Sequence, residues 1–328
     1  MLTHRERLSA CLKDDAALDR APVALWRHFP VDDQDPAALA AATLDFQKRY
    51  DFDLVKVTPA SSFCLKDWGS QDVWEGNPEG TRRYARFVIE NPQDWEHLQV
   101  LDPYKAAGLS AQLDCLHALR QELGPDVPML QTIFSPLAQA KNLVSKDRLA
   151  VHLRRYPEAV VKGLGTIAET TRRFVEACLE TGIDGIFYAV QQAQAGALNI
   201  TEFQNFGLTF DRFVIEPAKK LEFNLLHLHG TDVFFALTRE YEFPIVNWHD
   251  RETPPTLTEA QKLFPGVACG GVSQNTIVLG STAEVREQAA DALLQTGGRR
   301  FILGTGCVTP VTAPHGNLLA VRQAVEKK

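Results

Sequence analysis

FNLLHLHG (223–230) is eight residues of nearly unbroken apolar character, ended by a glycine. It is too short for a typical helix and lacks polar alternation, so it reads as a strand buried on both faces. Seven further runs share that character: PVALWRH (22–28), FDLVKVTP (52–59), PMLQTIF (128–134), GIDGIFYAV (182–190), FPIVNWHD (243–250), GVACGGVS (266–273) and RFILGTGC (300–307). Helical patterns fall between them, with apolar residues three and four apart in DPAALAAATLDFQKRYD, VVKGLGTIAETTRRFVEACLETG and TAEVREQAADALLQTGG. Strands alternating with helices pair in parallel through right-handed crossovers. Eight such units predict an α/β fold, a (β/α)₈ TIM barrel. An open doubly wound sheet is the fallback, and no GxGxxG follows the first run to favour it.

The connection after the second run is too long for one helix. Residues 60–127 contain VWEGNPEGTRRYARFVI, which reads as a hairpin turning at Asn77–Gly80, and then the helix LSAQLDCLHALRQELG. The expectation is one domain over 1–328, with the 60–127 insertion capping the barrel mouth.

At 328 residues, 45% hydrophobic and 23% charged, the chain can bury a large core. A net charge of -7 argues against a nucleic-acid surface and, less strongly, against an anionic membrane. No apolar run has membrane-spanning length, and the start MLTHRERLSACLKDD lacks a signal-peptide core. Six cysteines without CxxC pairing fit a reduced, cytoplasmic setting.

Active sites in such barrels lie at the C-terminal strand ends. Those ends offer Arg27, His28, Lys56, Thr58, Ser135, Tyr188, Gln191, His227, His229, Asn247, His249, Ser273 and Cys307. Alternation puts Phe223, Leu225, His227 and His229 on one strand face, and Phe301, Leu303, Thr305 and Cys307 on another. With both faces inward, two imidazoles and a thiolate meet at the mouth, a plausible zinc shell with one position open. His249 is then a fourth ligand or a donor behind the ligands. The same residues also suit hydrogen-bonded histidines at a strand end and a small buried cysteine, an alternative the sequence leaves open. Arg27 and Lys56 are expected to anchor an anionic substrate. Tyr188 and His249 are expected in catalysis, His28 and Gln191 in substrate binding, and Trp68 or Trp74 as a cover from the insertion.

RRFILGTGCVTPVTAPHGNLLAVRQAV, LLHLHG and YDFDLVKVTP together resemble the uroporphyrinogen decarboxylase superfamily over nearly the whole chain. The resemblance implies the barrel derived above. It also implies one of two chemistries, cofactor-free decarboxylation of uroporphyrinogen or zinc-dependent methyl transfer between a corrinoid and a thiol. The decarboxylase pattern is largely missing. Its paired arginines fall on Arg27 and Val31, its aspartate near Thr58, its tyrosine near Asn142, its serine near Gln191 and its last-strand histidine on Thr305. The methyltransferase ligands, H-x-C and a cysteine in the final glycine turn, fall on His227, His229 and Cys307, with histidine replacing the first cysteine. The resemblance therefore implies a metal-dependent methyltransferase-like enzyme, using zinc and a thiol or similar acceptor. Its methyl donor would be a corrinoid or small molecule, its partners an anionic small molecule and a corrinoid protein, and its state a homodimer. A divergent decarboxylase and a non-catalytic barrel binding a tetrapyrrole or corrinoid protein are the alternatives.

Overall fold

Seven of the eight apolar runs form strands of one sheet. The computed structural model describes residues 1–326, and in chain order its strands are β1 Val55–Val57, β2 Gln71–Val73, β3 Arg83–Arg86, β4 Met129–Phe134, β5 Gly185–Val190, β6 Leu225–Leu228, β7 Ile245–Trp248, β8 Val267–Val272 and β9 Phe301–Thr305. The large sheet runs β1-β4-β5-β6-β7-β8-β9, each neighbouring pair parallel. Helices such as Pro157–Glu180 and Thr282–Thr296 fill the crossovers. Strands covered on both faces need no polar side, which is why their sequences show no alternation.

The first run, 22–28, does not form a regular strand. It makes one parallel bridge, Val23 to Leu303 on β9. Leu303 N–H donates to Pro22 O at 2.9 Å and Ala24 N–H to Leu303 O at 2.9 Å, while Asp53 N–H donates to Val23 O at 2.8 Å. This segment thus joins β9 to the approach of β1, and the sheet curls into a TIM-like arrangement. A longer ladder is prevented locally. Pro22 has no N–H to give, and Val23 N–H is taken by the Asp53 carboxylate at 2.7 Å.

Asp53 is fully buried and also receives Arg7 at 2.7 Å, Arg20 at 2.6 Å and His4 at 3.0 Å. Burial alone would raise its pKa, but the bonds from His4 and Arg20 hold it well below the usual carboxylate range. It fastens the N-terminal helix His4–Leu12 to the first segment of the sheet.

Two packed layers result. Ala24, Trp26, Leu54, Leu130, Phe187, Leu225, Ile245, Cys269 and Ile302 form an inner cluster enclosed by the sheet. Leu226, Leu228, Tyr188, Val246 and Leu303 face the helices instead.

The hairpin expected within residues 73–89 is present, its strands lying at Gln71–Val73 and Arg83–Arg86. β2 and β3 pair antiparallel, Asp72 opposite Tyr84 and Val73 opposite Arg83. Its turn closes with Gly80 N–H donating to Asn77 O at 2.8 Å, and Val311 N–H donates to Pro78 O at 2.8 Å. Gly80 has φ +81°, and a Cβ there would lie 2.4 Å from His28 Cβ. The turn therefore needs glycine on two counts, backbone conformation and close approach to the 22–28 segment. No described helix is long and apolar enough to cross a membrane.

Candidate metal centre

His227 is the inward residue at the end of β6, following Leu225 by strand alternation. It is buried, stacked on Phe187 with ring centroids 5.2 Å apart. His229 follows just beyond the strand, where its N–H donates to Val190 O at 2.9 Å. His249 follows β7 in the same way.

Cys307 arrives by a route that alternation does not predict. On β9 the inward residue is Ile302, and Phe301 and Leu303 face the helices. The expected inward face of this strand was therefore the wrong one. The chain turns after Thr305, whose hydroxyl donates to Cys307 O at 2.6 Å, and this turn brings the thiol inside. Gly306 permits it: a Cβ there would lie 2.7 Å from His249 Cα and 2.8 Å from Trp248 O.

The four side chains converge. Cys307 Sγ lies 3.6 Å from His227 Nε2 and 3.6 Å from His229 Nδ1. His249 Nε2 lies 3.4 Å from His229 Nδ1, and all four ligand atoms fall within 4.8 Å of one another. Zinc bond lengths of about 2.0 Å to nitrogen and 2.3 Å to sulfur give tetrahedral edges of roughly 3.3 Å for N···N and 3.5 Å for N···S. The closest spacings here match those edges, so the donor set fits such an ion in both chemistry and size.

Neighbouring groups fix the imidazoles. The Asn247 amide donates to Cys269 O at 2.9 Å and to Thr305 O at 3.0 Å. Its oxygen must then face His227 Nδ1, at 2.6 Å, so Nδ1 carries the proton and Nε2 presents a lone pair to Cys307. Glu252 lies 3.1 Å from His249 Nδ1 and does the same for that ring. Glu252 lies beyond the strand end and escapes a strand-end argument, although its i+3 spacing from His249 is a local signal in the sequence. Burial, reinforced by the nearby imidazoles, pushes His227 well below the ordinary histidine range. Burial and His249 bring His229 down to about 4. Burial pushes the Cys307 thiol up to about 12.

The cluster opens on a cavity of about 70 Å³ walled by Trp26, His28, Lys56, Phe187 and Gln191. Lys56 is buried, its Nζ 4.5 Å from the Phe187 ring centre, and burial lowers it to about 7 against the pull of Cys307. Trp26 Nε1 and His28 Nδ1 are buried without protein partners. Glu79 and Thr81 of the hairpin loop also line this space.

Lys56, His28 and Gln191 thus reach the cavity, and other expected residues do not. Arg27 alternates away from Trp26 and His28, and its guanidinium lies 5.2 Å from the Phe29 ring centre and 5.6 Å from that of Phe46. Tyr188 faces the helix layer for the same reason, and its hydroxyl donates to Asp211 at 2.7 Å. Trp68 donates to Gln99 O at 2.8 Å, and neither it nor Trp74 walls the cavity.

Residues 16–328 match the family model described as uroporphyrinogen decarboxylase (URO-D). A uroporphyrinogen decarboxylase from Rhodococcus opacus is 28% identical over 307 residues, covering 89% of this chain and 82% of its own. One from Carboxydothermus hydrogenoformans is 27% identical over 161 residues, 44% of each chain. Among solved structures, a methyltransferase from Methanosarcina mazei superposes with TM-score 0.85 at 18% identity, covering 99% of this chain and 98% of that one. A B12-independent methionine synthase from a Shewanella species superposes with TM-score 0.58 at 14% identity, over 93% and 94%. At those identities the structural likeness establishes the fold alone, while the model match spans nearly the full sequence. The chain belongs to the uroporphyrinogen decarboxylase family.

Proposed function

We propose that this protein is a metal-dependent methyltransferase-like enzyme on a (β/α)₈ barrel closed through residues 22–24. The observation that carries the reading is that three of the six spacings among His227, His229, His249 and Cys307 match the edges of a zinc tetrahedron, with all four ligand atoms within 4.8 Å of one another. His227, His229 and Cys307 would hold the ion throughout, and His249 would be the fourth ligand whose place an acceptor thiol takes. Bound zinc would supply Lewis acidity, holding a substrate thiol in its nucleophilic thiolate form.

The remaining roles belong to the protein. Asn247 and Glu252 keep the coordinating nitrogens of His227 and His249 unprotonated. Lys56 and the Trp26 N–H face the cavity without carboxylate partners, and they orient an anionic group of the acceptor. The 60–127 segment, through Glu79 and Thr81, covers the mouth and limits water access. In the transfer, the acceptor's sulfur–carbon bond forms as the donor's bond to the methyl group breaks, its electron pair staying with the donor. The thiol proton leaves to solvent at the mouth. A corrinoid, free or carried by a protein, is the proposed donor.

Divergent decarboxylation is the second reading, favoured by the names of the curated relatives. The small cavity and the outward Arg27 weigh against a tetrapyrrole with many carboxylates.

The test is direct. Protein from zinc-supplemented growth, without an affinity tag, is expected to hold about one zinc per chain and to methylate an acidic thiol from methylcobalamin. Cys307→Ser should reduce both sharply, since a neutral hydroxyl replaces a thiolate. Metal-free protein that converts uroporphyrinogen to coproporphyrinogen would establish the second reading instead.

A further inference from the structure

The cavity at the histidine–cysteine cluster holds two charges of opposite sign that do not pair with each other. Lys56 enters from β1, and among the described residues its ammonium has no hydrogen-bond or ion-pair partner, only the face of the Phe187 ring. Glu79 enters from the turn of the hairpin. Among the described residues the single side-chain partner of its carboxylate is the Gln274 amide, at 3.5 Å. A carboxylate partly withdrawn from water without a counter-ion is a costly arrangement unless a ligand supplies one.

The turn fixes Glu79 in this place. Its N–H donates to Asn77 Oδ1 at 2.9 Å, Val311 N–H donates to Pro78 O, and Gly80 packs against His28. Gln274 steadies the same region by donating to Val308 O, next to Cys307, at 2.6 Å. The Glu79 charge reaches the Cys307 sulfur, where it opposes the thiolate and acts against the metal site unless a cation offsets it. His28 supplies a second, independent acceptor. It is 5% exposed, and burial keeps its ring neutral by bringing it down to about 3. Pro59 O takes the ring proton, and Nδ1 is the nitrogen left without a partner, so Nδ1 offers a lone pair. A lone pair and a carboxylate close together suit a positively charged N–H donor and repel an anion.

We propose that Glu79 and His28 recognise an ammonium group on the acceptor, which is therefore a zwitterionic aminothiol and not a simple acidic thiol. The ammonium donates to the Glu79 carboxylate and to His28 Nδ1, while the anionic group faces Lys56 and the Trp26 N–H on the sheet side. Glu79 is then the residue that sets specificity. A thiol without an amine leaves its carboxylate and the imidazole lone pair uncompensated in a site closed to water. Naming the acceptor rests on the function proposed above, but recognition of an ammonium group in this cavity does not depend on it.

The experiment uses two probe sets, so that the two ideas fail separately. The first is two matched pairs of thiols differing by one ammonium group, ethanethiol with 2-mercaptoethylamine and 3-mercaptopropionate with its 2-amino derivative. Each is titrated calorimetrically into zinc-loaded protein. Within each pair the amine is expected to bind about tenfold more tightly. Glu79→Gln should bring that ratio towards one, and Glu79→Asp should keep part of it. Chelation of zinc by the amine would persist in Glu79→Gln, so loss of the preference isolates the carboxylate. The second set is 3-aminopropionate and propionate, neither carrying a thiol, added to zinc-stripped protein and followed by ligand-observed NMR. Binding of 3-aminopropionate but not propionate, lost in Glu79→Gln, upholds the ammonium site even if no thiol binds, an outcome that would refute the proposed function alone. An amine preference unchanged in Glu79→Gln, or thiol binding with no amine preference in either pair, overturns the ammonium site and leaves the function standing. Absence of binding in both probe sets overturns both.

Discussion

Replacing Asn247 by leucine tests the architecture of the site without touching a ligand. Asn247 is fully buried at the end of β7 and makes three hydrogen bonds, to Cys269 O, Thr305 O and His227 Nδ1. Leucine keeps the branching but is larger by roughly two methylenes, so no cavity is expected and overpacking of this buried site adds about 1–3 kcal/mol to the loss. Two buried carbonyls and one imidazole N–H would lose their partners, at about 1–3 kcal/mol each, so a total loss of roughly 3 kcal/mol or more is expected. Urea unfolding of zinc-stripped protein isolates that loss, because no metal then contributes. With zinc present a second effect is expected. His227 is freed to change tautomer or rotate, and affinity should fall about 10–100-fold, as measured by competition with a chelating dye. Asn247→Asp separates the two effects. Its carboxylate still accepts from His227 Nδ1 but can donate to neither carbonyl, so zinc affinity should exceed that of the leucine variant while stability stays low. Leucine-variant stability and zinc affinity both equal to wild type would refute the reasoning, since the amide would then be orienting nothing.

Two further predictions concern the acid–base behaviour of the scaffold. Asp53→Asn should cost about 3–5 kcal/mol, because Arg7 and Arg20 remain buried around a neutral side chain. Its depressed carboxyl contributes stability at neutral pH that is lost as pH falls below about 4, so the asparagine variant should show a shallower acid decline in denaturation midpoints from pH 5 to 2. Asp211 behaves oppositely. Burial pushes it up to about 7 despite hydrogen bonds from Tyr241 and Tyr188, so its contribution is full below pH 4 and is lost as pH rises towards 7. Asp211→Asn should flatten that slope between pH 4 and 7, and an unchanged slope would contradict the assignment. Tyr188→Phe removes one bond to Asp211 and should lower stability by about 1 kcal/mol, with zinc content unchanged.

Much of this protein is legible in its sequence because local pattern and global fold agree. Near-continuous apolar runs of strand length, separated by amphipathic helices, leave little besides a parallel sheet covered on both faces. The placing of His227 and His229 on one face was likewise readable, since period two holds through Leu225–Leu228 and one residue beyond it. Other features depended on contacts between distant segments. Asp53 takes the Val23 N–H, so the 22–28 run bridges rather than laddering. A turn after β9, rather than alternation, brings Cys307 to the imidazoles. Arg27 and Tyr188 carry reactive groups at strand ends, but the phase of each segment, set by packing against Phe46 and Asp211, turns them to the helix side. Sequence by itself determined which residue types end each strand and which architecture they build. Only tertiary structure decided which of them share one cavity, because side-chain direction at a strand end changes with a one-residue shift in phase.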